Sequence, residues 1–242
     1  FVENFVGQWL QSRDIEEFAI DPRRILNTTS QLEATKVFNG RVKKDMKTET
    51  EMFFEFVLKN DRPAEELISA KYSFLNSRLA KFYGVNGVVG EEHQLVDLTE
   101  HPERGGILTQ GTFLVVTSNP TRTSPVKRGL FVLDNLLGTP APPAPPNVPE
   151  LEEIAHKSKK PMTMRQMMEV HREKPICAGC HARMDPIGLG LENFNALGQF
   201  RSDEKGVKID SGGQLVTGEK FSNVTTLKSI LADERRDDFY RC

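Results

Sequence analysis

Residues 175–191 read PICAGCHARMDPIGLGL, and Cys177, Cys180 and His181 fall within five of these positions. C-x-x-C-H is the pattern of c-type haem attachment. Two cysteines one helical turn apart each form a thioether to one haem vinyl group, and the histidine that follows reaches the iron as its proximal ligand. In a chain with three Cys and five His among 242 residues, the pattern occurs by chance roughly once in a thousand chains. It predicts one covalent haem c per chain, held by these three residues.

Three alternatives to haem stay open for the two cysteines at this point. A zinc site needs four ligands, and the adjacency of Cys180 and His181 suits tetrahedral chelation poorly, with His171 as the candidate fourth ligand. A thioredoxin-type redox pair needs a βαβ context, whereas this segment has a helical pattern. Plain buried cysteines are the third alternative. Haem attachment accounts for the whole five-residue pattern and is the leading prediction.

The ligand at the second axial position of the iron decides between electron transfer and oxygen chemistry. Met184 follows His181 by three residues, so it falls on the same side of the haem and is a poor distal ligand. The candidate distal ligands lie upstream and are Met162, Met164, Met167, Met168 and His171. The alternative for each is helix packing against the haem edge. A Met or His ligand predicts an electron carrier, and an open position predicts peroxide or oxygen chemistry.

Haem propionates need cationic partners, and residues 117–129 are dense in hydrogen-bond donors. Arg122 and Arg128 are each able to hold a carboxylate through two parallel hydrogen bonds. Arg201 is a further candidate. The alternative is that the Thr, Ser and Asn residues shape a turn and cap a helix here, with the arginine side chains in solvent.

Apolar spacing predicts a mainly α-helical first part, residues 1–90, whose aromatic residues are expected in the core. Its three stripes are Phe1, Phe5, Trp9 with Val2, Val6, Leu10; then Met46, Phe53, Phe56, Val57; then Tyr72, Leu75, Leu79, Phe82, Tyr83, ended by Gly84. Residues 84–125 are richer in Gly and β-branched residues. Within them, residues 113–116 are either a short buried strand or a packed loop.

Proline and glycine residues, which interrupt helices, divide the sequence after residue 90 into several predicted helices. Ser124 and Pro125 open a helix that Gly138 ends. Residues 139–149 read TPAPPAPPNVP and predict a polyproline linker or belt, with a docking site for an aromatic groove as the alternative. Thr163 and Gln166 match a capping box.

Further breakers follow in the last third of the chain. Pro175 is expected to end the helix that the capping box opens, and Asp185-Pro186 to open another. Ser211-Gly212-Gly213 marks a β-hairpin within residues 207–216, and a last helix is predicted over about residues 223–231.

Composition limits the classes of protein. The net charge of −2, from 32 basic and 34 acidic residues, gives no basic footprint for nucleic acid. No apolar run reaches the roughly 18 residues of a membrane-spanning helix, and three cysteines exclude a disulfide-stapled small scaffold. Because the chain starts at Phe1 inside an apolar pattern, we expect a piece of a longer protein. Cys242 is left over, as a free thiol, a cross-link or a feature of the fragment's end.

Three blocks resemble the large planctomycete-type cytochrome c-like proteins, which combine domains of unknown function 1592, 1588 and 1585. The blocks are YSFLNSRLAKFYGV (72–85), RGGILTQGTFLVVTSNPTRTSPVKRGLFVLDNLLGTPAPPAPPNVPEL (104–151) and HREKPICAGCHARMDPIGLGLENFNALGQFR (171–201). The resemblance implies that residues 1–90 end a helical domain, that 91–190 form a domain with the polyproline segment and a cytochrome c-like haem-binding lobe, and that 191–242 begin a small domain with a β-hairpin. It also implies export and further domains of the same polypeptide, including a second haem domain upstream.

The leading functional prediction is an exported electron-transfer cytochrome domain that exchanges electrons with unidentified redox partner proteins. Haem attachment needs reduced thiols and a maturation system that bacteria keep outside the cytoplasm, which predicts a periplasmic or cell-surface location. One alternative is a haem enzyme, a peroxidase or an oxygenase, with an open distal site and His171 as the nearby histidine. Another is a binding or scaffold module in which haem is a structural staple.

Overall fold

Helices and short antiparallel strand pairs make up the regular structure. The computed structural model describes residues 1–142, 162–171 and 175–242, with residues 171 and 175–178 described by their backbone. About half of the chain is helical, which confirms a mainly α-helical fold at that level. In the ranges described, no helix is long and apolar enough to span a membrane.

Six helices occupy the first 83 residues, as the apolar spacing predicts. They are α1 Val2–Trp9, α2 Pro22–Leu26, α3 Gln31–Val37, α4 Gly40–Lys59, α5 Glu66–Ser69 and α6 Ser77–Tyr83. The stripe of α4 is buried at Met46, Phe53 and Val57. The prediction that all aromatic residues here lie in the core is wrong for Phe1 and Phe5, which are 82% and 43% exposed, because Phe1 stacks on Phe5 at the N-terminal end of α1. Phe5 also packs on Trp9 and on the buried Phe54, so it lies at the edge of the core.

The third predicted stripe is divided between a strand and a helix. β1 (Tyr72–Leu75) pairs antiparallel with β2 (Gln94–Asp97). Asn76 separates β1 from α6, since its side-chain oxygen accepts the backbone N–H of Leu79 at 2.9 Å and caps the helix. Gly84 ends α6 as predicted, with a φ of 79° that suits glycine.

Residues 113–116 are neither a strand nor a loop, since they belong to the buried helix α7 (Gly111–Val116). A helix that is apolar on every side gives no periodic signal in the sequence. α8 (Pro125–Asn135) begins where predicted, with the Ser124 hydroxyl accepting the N–H of Lys127 at 3.3 Å. It ends at Asn135, and Gly138 lies in the turn that follows.

The predicted capping box opens α9 (Met164–His171). The N–H of Thr163 donates to Gln166 Oε1 at 2.9 Å, and the N–H of Gln166 donates to Thr163 Oγ1 at 3.3 Å. Most of the polyproline segment, residues 143–149, lies outside the described residues.

α10 (Pro175–Leu189) is one helix and corrects the prediction that Asp185-Pro186 opens another. Pro175 begins this helix, since the first helical position needs no N–H donor. Asp185 and Pro186 lie inside it, so they do not open a new one.

Two strand pairs and two helices close the chain. β3 (Asp203–Glu204) pairs with β4 (Val207–Lys208), and β5 (Gly213–Gln214) pairs with β6 (Lys220–Phe221). The predicted hairpin over 207–216 is therefore wrong, because residues 209–212 join two separate strand pairs. α11 (Val224–Asp233), capped by Asn223, confirms the helix predicted over about residues 223–231. It is not the last helix, because α12 (Arg236–Arg241) follows it.

One hydrophobic cluster takes side chains from all three predicted segments of the chain. Its members include Val6, Phe53 and Phe74 from 1–90, Leu108, Phe131 and Ile187 from 91–190, and Phe194, Leu227 and Phe239 from 191–242. A second cluster joins α4 and α6 to α7 through Met46, Leu79 and Val115. Residues 1–90 therefore bury apolar surface against the segment that carries the C-x-x-C-H motif.

A buried polar network crosses the same interface. Glu49 accepts hydrogen bonds from the hydroxyls of Ser73 and Tyr83, both at 2.6 Å. The Tyr83 hydroxyl accepts the N–H of Gly111 at 2.7 Å, and the Arg104 guanidinium lies 3.9 Å from the centre of the Tyr83 ring. Burial raises the pKa of Glu49 to about 7, more than these partners lower it.

We expect Glu49 to make the stability of the protein fall between about pH 4.5 and about pH 7. The folded state holds the Glu49 proton more tightly than the unfolded chain, whose pKa is the ordinary value of 4.5. Its contribution is complete below pH 4.5 and is lost as pH rises through about 7, on the order of 3 kcal/mol. Urea unfolding across this range measures the slope, which Glu49→Gln should remove. The exposed Glu100→Gln is the control and should keep it, and an unchanged slope in Glu49→Gln contradicts the prediction.

Candidate functional site

The C-x-x-C-H motif lies in the first half of α10. Cys177 is in the first turn of the helix, and its side chain lies outside the described residues. Cys180 is half-buried beside the large hydrophobic cluster and forms no disulfide. Between them, a methyl group on Gly179 would meet no described atom within 4 Å. The helix places the two cysteines one turn apart, as the sequence predicts.

His181 is held by a buried carboxylate one turn further along the helix. Its Nδ1 lies 2.8 Å from Asp185 Oδ1. The His181 side chain is 12% exposed and that of Asp185 is fully buried. A carboxylate on Nδ1 fixes the tautomer and leaves Nε2 as the ring nitrogen that binds a metal. The sequence interpretation missed this role of Asp185, although the spacing of four residues from His181 is a usable signal.

Two glycines allow the backbone of the second half of α10 to contact the backbone of α8. A methyl group on Gly129 would lie 2.0 Å from the carbonyl oxygen of Met184, and one on Gly188 would lie 1.9 Å from that of Pro125. Only residues without a side chain allow two backbones to come this close. The backbone on both sides of Asp185 therefore has a fixed position on α8.

Three of the proposed distal ligands form a separate buried cluster. Met164, Met167 and Met168 pack together with Leu189, near the C-terminal end of α10, and Met162 and Val126 border them. The side chains of these three methionines are buried in this cluster. The side chain of His171 lies outside the described residues, and Met184 is buried in the large cluster. A role in binding iron stays a prediction for the whole group.

Arg128 has its hydrogen-bond donors turned inward. Its side chain is fully buried, and it donates to the carbonyl oxygens of Leu191, Phe194 and Asn195 at 2.8, 2.9 and 3.1 Å. The same guanidinium lies 3.4 Å from the buried carboxylate of Glu192. These contacts join α8 to the turn after α10. They correct the expectation of a solvated side chain, and a propionate role stays a prediction.

The other two candidate arginines lie close to the same turn. Arg201 donates to the Glu192 carboxylate at 2.9 Å and to the Glu192 carbonyl oxygen at 3.1 Å. Arg122 donates to the carbonyl oxygen of Thr123 at 3.0 Å, and the hydroxyl of Thr123 donates to Glu192 at 2.8 Å. The structure thus brings Arg128 and Arg201 together at Glu192, and Arg122 hydrogen-bonds to the backbone of Thr123.

Arg183 links the motif helix to the start of the proline-rich segment. Its guanidinium donates to the carbonyl oxygens of Thr139 and Pro140, at 2.9 and 3.3 Å. The sequence interpretation assigned no role to Arg183. The contact holds the backbone at residues 139 and 140, shortly after the end of α8, against α10.

The donors of the motif fit a c-type haem. Cys180 is half-buried, the space beside Gly179 is clear of described atoms, and Nδ1 of His181 is engaged by Asp185. A thiol and an imidazole in these positions are the donors that a c-type haem requires. Within the described residues, no group of three or more His, Cys, Asp and Glu side chains could hold a metal ion. The residues that would hold the haem are Cys177, Cys180 and His181.

Two family models match the chain. Residues 1–85 match a family described as protein of unknown function (DUF1592). Residues 104–204, which include the motif, match one described as protein of unknown function (DUF1588). No curated protein and no solved structure matches the chain. These matches support the resemblance to the two domain families: residues 1–85 are similar to the first, and residues 104–204, which contain the C-x-x-C-H motif, are similar to the second.

Proposed function

We propose that this chain holds one haem c through thioethers at Cys177 and Cys180, with His181 as the proximal ligand, and that it acts as an electron-transfer domain. The observation that carries the proposal is the C-x-x-C-H motif on one helix with Nδ1 of its histidine engaged by a buried carboxylate. That arrangement is typical of histidines that bind metals. A covalently bound haem supplies one-electron exchange between ferric and ferrous iron.

The protein's own residues provide a rigid support for the group. Asp185 orients the His181 ring, and the contact of Gly129 and Gly188 with the facing helix fixes the backbone that carries both. Burial of the second half of α10 keeps water away from the Asp185 side of the imidazole. A fixed ligand geometry lowers the reorganisation that accompanies a change of charge at a redox centre.

The cytochrome c-like lobe, its export and its redox partner proteins belong to the same proposal. The resemblance of residues 104–151 and 171–201 to planctomycete-type cytochrome c-like proteins supports them. Thioether formation takes place where reduced thiols meet the maturation system, which places the mature protein in the periplasm or at the cell surface. Further domains of the same polypeptide would be the nearest electron donors or acceptors.

Replacing both Cys177 and Cys180 by serine is expected to abolish haem attachment. Each chain is produced in bacteria together with a c-type maturation system, and the intact mass and the pyridine haemochrome spectrum are measured. The wild-type chain should gain the mass of one haem, and the double variant should gain none. Cys242→Ser is the matched control, since this exposed cysteine lies outside the motif, and it should attach haem fully. A wild-type chain without haem overturns the proposal and makes zinc the leading candidate for the motif.

Carbon monoxide separates the electron carrier from the haem enzyme. A reduced spectrum that ignores carbon monoxide indicates two protein ligands and supports electron transfer. A spectrum that shifts with carbon monoxide indicates an open position, and it replaces the electron-transfer assignment by peroxidase or oxygenase chemistry. In the first case, substitutions at His171 and at Met162, Met164, Met167 and Met168 identify the second ligand.

A further inference from the structure

We propose that Asp185 is a positioning residue that donates electron density to the proximal ligand His181 and so lowers the reduction potential of the site. This inference rests on the proposed function. It goes further in assigning the setting of the potential to one residue outside the C-x-x-C-H motif. The motif together with Asp185 reads C-x-x-C-H-x-x-x-D, from Cys177 to Asp185.

The geometry of the pair carries the first step. Asp185 Oδ1 is 2.8 Å from Nδ1 of His181, which is within the range of a charge-assisted hydrogen bond. When Nε2 binds a metal, Nδ1 must carry the proton, so His181 donates and Asp185 accepts. A carboxylate acceptor increases the basicity of the imidazole more than a neutral acceptor does.

The burial of Asp185 carries the second step. An exposed histidine–carboxylate pair at this spacing would be screened by water and would contribute little. The Asp185 side chain is instead enclosed by protein, with 0% solvent exposure. Removing a carboxylate from water costs several kcal/mol unless its partners offset that cost. The burial therefore places a desolvated carboxylate directly against the predicted iron ligand, where its effect on the imidazole is little screened by water.

The rigidity of the helix carries the third step. Gly129 lies against Met184, and Gly188 lies against Pro125, so backbone contacts with α8 flank Asp185 on both sides. The backbone that carries the carboxylate is therefore fixed against α8, and the burial of the side chain restricts its rotation. Such a fixed acceptor holds the ring in one orientation and favours the ferric state, because greater electron donation stabilises the more positive iron.

Asp185→Asn is the main test, because asparagine keeps the size of the side chain and removes the charge. The haem-loaded full chain is titrated electrochemically, and its haem content is measured alongside. We expect haem attachment to stay complete and the equilibrium to shift toward the ferrous state about tenfold, a rise of about 59 mV for a one-electron couple. Asp185→Glu keeps the carboxylate and should recover part of the shift. Asp134→Asn, an exposed residue of α8, is the control and should leave the potential unchanged.

A second measurement on the wild-type chain keeps the test independent of variant folding. Nitrogen NMR of the reduced, histidine-labelled protein should show a proton on Nδ1 of His181 that exchanges slowly with water. A rapidly exchanging proton contradicts the proposal. So does a ferric–ferrous equilibrium constant of Asp185→Asn that differs from that of the wild type by less than about twofold. A loss of stability without a change of potential assigns Asp185 a structural role only and also overturns it. A wild-type chain without haem is a different outcome, since it overturns the proposed function itself.

Discussion

Gly188→Ala is expected to lower the free energy of unfolding by about 3–5 kcal/mol. The added methyl group would lie 1.9 Å from the carbonyl oxygen of Pro125, and both atoms are attached directly to backbone. No rotation of a side chain relieves this overlap, so α8 and α10 must separate. Alanine is normally the better helix former by about 1 kcal/mol, so the expected effect has the opposite sign to the helix propensity. Urea unfolding of the full chain measures it.

Gly40→Ala is the matched control for this substitution. Gly40 is the first residue of α4, and a methyl group there would meet nothing within 4 Å. Its free energy of unfolding should stay within about 0.5 kcal/mol of wild type or rise slightly. If Gly188→Ala is as stable as Gly40→Ala, the close approach of α8 and α10 is wrong.

Arg128→Met is expected to destabilise the protein by about 3–5 kcal/mol. Methionine fills much of the volume but supplies no donors. The carbonyl oxygens of Leu191 and Phe194 would lose their guanidinium donor, and Glu192 would lose a buried cation. Glu192 would keep Arg201, which is about one quarter exposed, as a cationic partner. A buried charge that loses one of its partners still costs more than the lost pair contributes. Burial already lowers the pKa of Arg128 to about 10, so the network holds the arginine charged against a real desolvation cost.

Arg24→Met and Arg201→Met are the controls, because they show how the loss of stability depends on the burial of the guanidinium that is removed. Arg24 is exposed on α2, and its replacement should change the free energy of unfolding by less than about 0.5 kcal/mol. Arg201 is about one quarter exposed and shares Glu192 with Arg128, so its replacement should fall between the two. Equal stability of Arg128→Met and Arg24→Met would contradict the buried network.

Local signals in the sequence predicted the starts of three helices, α8, α9 and α11. Thr163 with Gln166, Ser124 with Pro125, and Asn223 each act within three or four residues, so the neighbouring sequence contains all the information that the cap needs. The one-turn spacing of Cys177 and Cys180 is likewise visible in a few neighbouring residues of the sequence. These features do not depend on how the rest of the chain folds.

The sequence patterns did not predict features that depend on contacts with residues far away in the sequence. Tyr72 to Leu75 form a strand because residues 94–97 pair with them, and a strand with a helical pattern of apolar residues gives no local warning. The Asp185-Pro186 pair is a strong local signal for a helix start, yet packing on α8 keeps it inside α10. Arg128 finds its acceptors 63 to 67 residues away, which no window of the sequence contains.

The network of Glu49, Tyr83 and Arg104 has a consequence for how such proteins can be rearranged. Glu49 and Tyr83 belong to the segment that matches one family, and Arg104 belongs to the segment that matches the other. A gene that kept residues 104–204 and lost residues 1–85 would encode a chain with the Arg104 charge facing a missing aromatic ring and with Gly111 lacking its hydroxyl acceptor. The two segments are therefore expected to be inherited together, and expression boundaries drawn between residues 85 and 104 are expected to give insoluble halves.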